Sequence, residues 1–213
     1  MATPSLAIIG TGHIGRALAL NLTKGNRPVS IAARDITKAQ KLAAEAGPLA
    51  RAVPMAEAVK TAEIVIPAIG FSEIAGFLKT YADDLRGKII VDPSNPIAPD
   101  GKGGFVKVIG AHESAGEYNA SFLPAGAKLV KALGTLAAGT LLAASGQTPD
   151  PAVLFYASDD RSVEPAIEEL LRDTGFDPVR IGGLDQSIRL EVFGELHEFG
   201  ALGRTVTKAE AAA

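Results

Sequence analysis

The chain has 213 residues, of which 47% are hydrophobic but only 5% aromatic, with no tryptophan and no cysteine. That length suits one large domain or a domain with a small appendage, and the core must be built from alanine, valine, isoleucine and leucine, as where helices cover both faces of a parallel sheet. The lack of cysteine excludes disulfides, thiol catalysis and cysteine-ligated metals, and a net charge of −3 with no long basic run leaves no footprint for nucleic acid.

Met1 to Leu6 is too short and polar to lead a secretory signal, because an apolar strand starts almost at once at Ala7-Ile8-Ile9. Gly10-Thr11-Gly12-His13-Ile14-Gly15 follows with Gly-x-Gly-x-x-Gly spacing, then an amphipathic helix with Ile14, Leu18 and Leu22 on one face. Gly10 allows the tight turn, Gly12 lets the backbone approach a pyrophosphate, and Gly15 lets helix and strand pack closely. The free N–H groups and positive dipole at the helix start suit phosphates. A glycine pattern alone is a weak signal; placed between a strand and a helix, it points to a dinucleotide.

The second strand, Val29 to Ala33, ends on Arg34, where many such sites carry an acid. Ile36 to Ala46 reads as a helix, Arg51 to Val53 as a short third strand, and Pro54 opens a brief helix. Ile64 to Ile69 suits a central parallel strand, Phe71 to Leu85 has helical spacing, and Ile89 to Val91 is a fifth strand ending in Asp92-Pro93-Ser94-Asn95-Pro96. The Pro- and Gly-rich stretch from there to about Gly110 is long enough for a functional loop. A helix near Ala115 to Phe122 and a strand near Leu129 to Leu133 complete a six-strand pattern. Beyond it come strand Val153–Ala157, helix Val163–Thr174, strand Val179–Ile181 and a final helix from about Asp185. The longest apolar run, Ala132 to Ala144, is broken by Gly134 and Gly139 and is too short to span a bilayer, so no membrane partner and a cytoplasmic location are expected. The expected fold is α/β: a Rossmann-type doubly wound parallel sheet over residues 1–140, with a small C-terminal α/β extension over 141–213 completing the substrate and dimer side.

In open α/β sheets ligands bind outside the carboxyl ends of the strands, where the winding reverses. That rule gathers Thr11, His13, Arg34, Ala68, Ile69, Asn95 and Ala132 around one crevice. Arg34 can hold a 2′-phosphate through charge-assisted hydrogen bonds, and Lys38, one helical turn further on, adds a second positive charge. The alternative is that both are solvated surface cations, or that Asp35 takes a ribose hydroxyl and the site favours NAD. The alternation Val29, Ile31, Ala33 places Arg34 first after the strand and favours NADP. His13 either reaches the nicotinamide side or is a solvated loop residue; Ser114 reads equally as a helix N-cap; His197 reads as a packed histidine among Phe193, Leu196 and Phe199. The three histidines lack metal-ligand spacing, so no metal is expected, and without a Gly-x-Ser-x-Gly elbow a hydrolase is unsupported.

The stretches Ile9-Gly10-Thr11-Gly12-His13-Ile14-Gly15, Arg34 with Lys38, Asp92-Pro93-Ser94-Asn95-Pro96, and Leu123 through Ala132 resemble the NADP oxidoreductases dependent on coenzyme F420, a group that includes the reductase domain of the STEAP metalloreductases. Gly175-Phe176-Asp177-Pro178-Val179 and the later Gly182-Gly183-Leu184 and Arg189-Leu190-Glu191 also resemble that family's C-terminal pattern. The resemblance implies that the glycine loop from Gly10 to Gly15 binds pyrophosphate. It implies that the residues at Ala33, Arg34 and Lys38 surround a 2′-phosphate, with Ala33 standing where the family has a serine. It further implies that Ala68 and Ile69 touch the cofactor, that Ala132 lies near the nicotinamide, and that the protein is a homodimer. Leu133-Gly134 and Gly183 depart from the family pattern, both on the side where the second substrate should dock.

Hydride transfer between NADPH and coenzyme F420 or a flavin needs proximity and orientation more than a protein acid, and the sequence offers no general acid for a catalytic role. Only about eighty residues follow the sixth strand, too few for a large helical substrate domain. Reductases of small carbonyls or imines therefore rank second, beside a non-catalytic NADP(H)-sensing protein.

Overall fold

The computed structural model describes residues 3–212. The first half alternates short strands with helices: β1 (Leu6–Ile9), α1 (His13–Lys24), β2 (Val29–Ala32), α2 (Ile36–Ala46), β3 (Ala50–Ala52), α3 (Met55–Thr61), β4 (Ile64–Pro67), α4 (Phe71–Thr80), α5 (Ala82–Leu85) and β5 (Ile89–Asp92). A hairpin of β6 (Ile97–Pro99) and β7 (Phe105–Lys107) follows, then α6 (Ala115–Ala120), β8 (Lys128–Lys131), α7 (Ala138–Ala144), β9 (Val153–Ala157), α8 (Glu164–Asp173), β10 (Asp177–Gly182) and α9 (Lys208–Ala211). The main sheet has the order β10-β9-β8-β5-β4-β1-β2-β3. From β3 to β8 the strands run parallel in the doubly wound order, reversing direction of winding between β1 and β4. β9 joins β8 antiparallel through Lys131 and Ala157, and β10 pairs with β9 in parallel, so the C-terminal strands extend the same sheet.

Side-chain alternation along each strand explains the layers. Leu6 and Ile8 face α1, α2, α7 and α8, where Leu18, Leu22, Leu42, Leu141, Ile167 and Leu170 close one core. Ala7 and Ile9 face the opposite side, against Val59 of α3 and Ile74, Phe77 and Leu78 of α4. Because every residue of β1 and β4 is buried, these strands read as apolar runs rather than as polar–apolar alternations, and in β2 only the buried Ser30 interrupts the run.

Three expected elements differ. The helix expected over Phe71 to Leu85 breaks into α4 and α5 at Tyr81, whose φ of −108° leaves the helical range. The loop expected between Asp92 and Gly110 contains the hairpin, whose tip is organised by the Asp100 carboxylate accepting from the N–H groups of Lys102 and Gly104. The final helix expected from Asp185 is instead a 3-10 turn over Leu184–Arg189 and then a succession of tight turns. Gly194 N–H bonds to Glu191 O, His197 N–H to Gly194 O, and Gly200 N–H to His197 O. This chain of turns also repeats every three residues, so Leu190, Phe193, Leu196 and Phe199 have helix-like spacing without a helix. They form no single buried stripe: Leu190 is buried, but Phe193 and Phe199 are 54% and 60% exposed. Gly194 and Gly200 are needed there, since an added Cβ would lie 2.3 Å from the Ile188 carbonyl oxygen and 1.8 Å from that of Gly194.

Candidate functional site

The turn after β1 is shaped by its glycines. Gly10 has a φ of +114°, which side chains rarely adopt, and its N–H bonds to Ala32 O at 2.8 Å. Gly15 lies so close under the turn that a Cβ would meet the Gly10 carbonyl oxygen at 2.2 Å. Gly12 is different: it caps α1 with extended backbone, and a Cβ there would meet no atom of the described residues within 4 Å. The protein's own packing thus leaves the space over Gly12 free. No side chain caps the N-terminus of α1, and no acid occupies its first turn, so its N–H groups and dipole are available to an anion.

This helix start opens on a cleft of about 720 Å³ at the carboxyl ends of β1, β2 and β4. Gly10, Thr11, Gly12, His13 and Ile14 form its floor, Ala33, Arg34 and Lys38 one wall, and Ala68 and Ile69 the other. Gly15 lies behind the turn and shapes it from below. The volume falls in the range of small-molecule sites. Arg34 projects into solvent with its side chain 87% exposed, and Lys38 has no ion-pair partner among the described residues.

Asp35 follows Arg34 but turns away from a ligand role. Its carboxylate caps α2, accepting from Thr37 N at 2.9 Å and Thr37 Oγ1 at 2.6 Å, and these bonds hold its pKa below the ordinary carboxylate value. β2 ends at Ala32, so Ala33 and Arg34 both belong to the turn rather than the strand.

Asn95 and Ala132 do not line this cleft. Asn95 is a tether: its Nδ2 donates to Gly134 O at 3.0 Å and its Oδ1 accepts from Val192 N at 2.7 Å. Ala132 is buried directly after β8, its N–H bonding to Asp92 O at the end of β5. Gly134 is pressed against the cleft-lining Pro93, whose carbonyl oxygen lies 2.6 Å from where its Cβ would be, and Leu133 before it has a φ of +66°. The departure at Leu133-Gly134 is therefore a tight backbone feature immediately behind the cleft.

Sequence reasoning missed several residues. Glu73, in the first turn of α4, pairs with Arg34 at 3.0 Å across the mouth of the cleft. Phe105 on the hairpin and Met55 add apolar surface. Beneath the carboxyl ends of β5 and β8 lies a buried polar group in which Lys131 pairs with Asp92 at 3.3 Å, Asn119 donates to Asp92 at 2.9 Å, and Glu191 accepts from Gly116 N at 3.1 Å. Burial pushes the Glu191 carboxyl above its ordinary value, although Lys131 acts against the shift. The Asp92, Asn119 and Lys131 residue types were visible in the sequence, but only the fold brings them together. Ser114 is an N-cap, accepting from Glu117 N at 3.1 Å, and His197 is packed at 2% exposure on a turn.

Residues 5–96 match the family pattern described as NADP oxidoreductase, coenzyme F420-dependent. The metalloreductase STEAP3 of Rattus norvegicus is 29% identical over 188 residues, which cover 88% of this chain and 36% of the relative. The chain thus spans about a third of the length of that curated relative. A hypothetical protein from Sinorhizobium meliloti superposes with a TM-score of 0.83 at 29% identity, covering 96% of each chain. A provisionally assigned F420-dependent NADP reductase from an Arthrobacter species superposes with a TM-score of 0.74 at 25% identity, covering 86% of this chain and 87% of the other. The stretch that carries the glycine turn, Arg34 and Lys38 is thus similar to the coenzyme F420-dependent NADP oxidoreductases.

Proposed function

We propose that the protein is an NADP(H)-dependent oxidoreductase whose second substrate is coenzyme F420 or a flavin-like ring. The observation that carries this reading is the conjunction, on one cleft, of an uncapped helix start with open space over Gly12 and two cations, Arg34 and Lys38, at its end. The first suits a pyrophosphate and the second a 2′-phosphate. Asp35, the residue that would hold an NAD ribose, is spent on capping α2. When bound, NADPH supplies a hydride. What the chain does is hold the phosphates, orient the ring and exclude water with the apolar walls of Ala68, Ile69 and Phe105.

Among the described residues no buried proton donor faces the cleft: His13 is exposed, Asp35 is capping and Glu73 is ion-paired. Hydride transfer to a deazaflavin or flavin also takes up one proton, but on a ring nitrogen that solvent can protonate. Reduction of a small carbonyl or imine instead protonates the reacting oxygen or nitrogen and calls for a positioned donor. In this proposal residues 1–140 bind NADP(H), and residues 141–213, tethered through Asn95 and Val192, complete the acceptor side. A cytoplasmic location and a homodimer belong to the same reading.

The test is stopped-flow oxidation of bound NADPH on adding coenzyme F420, FMN, FAD or a small cyclic imine. Rapid loss of the nicotinamide absorbance with one of the three ring acceptors is expected. Turnover with the imine alone, or tight NADPH binding with no turnover on any acceptor, would contradict the proposal.

A further inference from the structure

Glu73 is the carboxylate that Arg34 meets across the cleft, Oε1 to the guanidinium at 3.0 Å, joining the turn after β2 to the first turn of α4. Its side chain is 44% exposed and that of Arg34 87% exposed, so both can swing. Its N–H bonds to Gly70 O at 2.9 Å, setting it three residues into a helix whose N-terminus has no side-chain cap among the described residues, so the helix dipole favours its charge. The neighbouring carboxylate, Asp35, is committed to Thr37. Among the described residues Glu73 is therefore the anion that already occupies Arg34.

We propose that Glu73 is a specificity-determining residue, competing with the nucleotide's 2′-phosphate for the Arg34 guanidinium and so lowering the preference for NADPH over NADH. This rests on the NADP(H) reading of the cleft. A 2′-phosphate brought to Arg34 meets a like charge already beside its Nη1, so the two anions repel and the phosphate gains most when the Glu73 carboxylate swings away. NADH carries no such phosphate and leaves the pair intact. Because exposed ion pairs are weak, the competition is a modest tuning of affinity rather than a block.

Binding of NADPH and NADH is titrated to the wild type and to Glu73→Gln, Arg34→Ala and the double variant, with melting temperatures to confirm folding. Glu73→Gln should tighten NADPH by about two- to fivefold and leave NADH unchanged. In the Arg34→Ala background the same change should tighten NADPH by less than half that factor, since the contested donor is gone. If Arg34→Ala weakens NADPH but Glu73→Gln leaves its affinity unchanged or lowers it, the competition is overturned while Arg34 keeps its role. If Arg34→Ala leaves NADPH binding as in a wild type that does not discriminate, the NADP(H) reading falls and the competition with it.

Discussion

At Gly10 an added Cβ would lie 2.3 Å from the Ala68 carbonyl oxygen and at Gly15 2.2 Å from that of Gly10, whereas Gly12 has open space. The sequence pattern treats these positions as one motif, but the structure separates a folding role from a ligand role. Gly10→Ala and Gly15→Val should each lose about 2–4 kcal/mol of stability, measured by urea unfolding, because a backbone oxygen cannot move aside cheaply. Gly12→Val should keep the wild-type melting temperature within a few degrees and lose NADPH binding. A second contrast concerns His197, which is buried with its Nδ1 accepting from Phe199 N at 3.0 Å. Burial depresses its pKa from 6.5, with Glu198 opposing. Below pH 6.5 the unfolded chain therefore binds a proton that the folded chain refuses, and stability falls as the pH drops toward the folded pKa. His197→Gln should lose less stability than the wild type between pH 7 and pH 5, read from urea midpoints at each pH.

Among the elements, those defined by local pattern were legible in the sequence. β1, α1, α2, β4 and α8 follow from apolar runs or helical spacing, and their cores come out of side-chain alternation. The segment after β10 was misread because a chain of three-residue turns spaces Leu190, Phe193, Leu196 and Phe199 much as a helix would. Gly194 and Gly200, which make the turns possible, were the available signal. Arg34 and Lys38 were legible as the residues after β2, but Glu73 was not, since its partner lies on another element and no local spacing links them. Asn95 stood out in Asp92-Pro93-Ser94-Asn95-Pro96, yet its two hydrogen bonds join this loop to Gly134 and Val192. Asn95→Ala should cost about 1–3 kcal/mol and raise amide exchange around Val192, because both partners lose a hydrogen bond. Unchanged exchange there would show that the C-terminal segment is held by other contacts.

On the scale of the whole molecule, one sheet carries both the cleft and the extension, and the buried pair of Lys131 and Asp92 links β5 to β8, the strand that β9 joins at Lys131. Lys131→Met should destabilise by about 3–5 kcal/mol, since it leaves Asp92 buried without its counter-ion. Among the described residues, no helix is long and apolar enough to cross a membrane. The exposed Phe193 and Phe199, with Val106 and Val108 on and beside the hairpin, give the surface apolar groups that the proposed homodimer would cover. Static light scattering at micromolar concentration should therefore give twice the 21.9 kDa chain mass, and a monomer would contradict the dimer.

Equilibrium titration of the wild-type protein with NADPH and NADH, at low and high salt, tests the cleft most directly. Charge-assisted contacts from Arg34 and Lys38 to a 2′-phosphate predict NADPH binding tighter by about ten- to a hundredfold, with the advantage shrinking as salt screens the exposed cations. Equal affinities for the two nucleotides at low salt would contradict the assignment of this cleft to NADP(H).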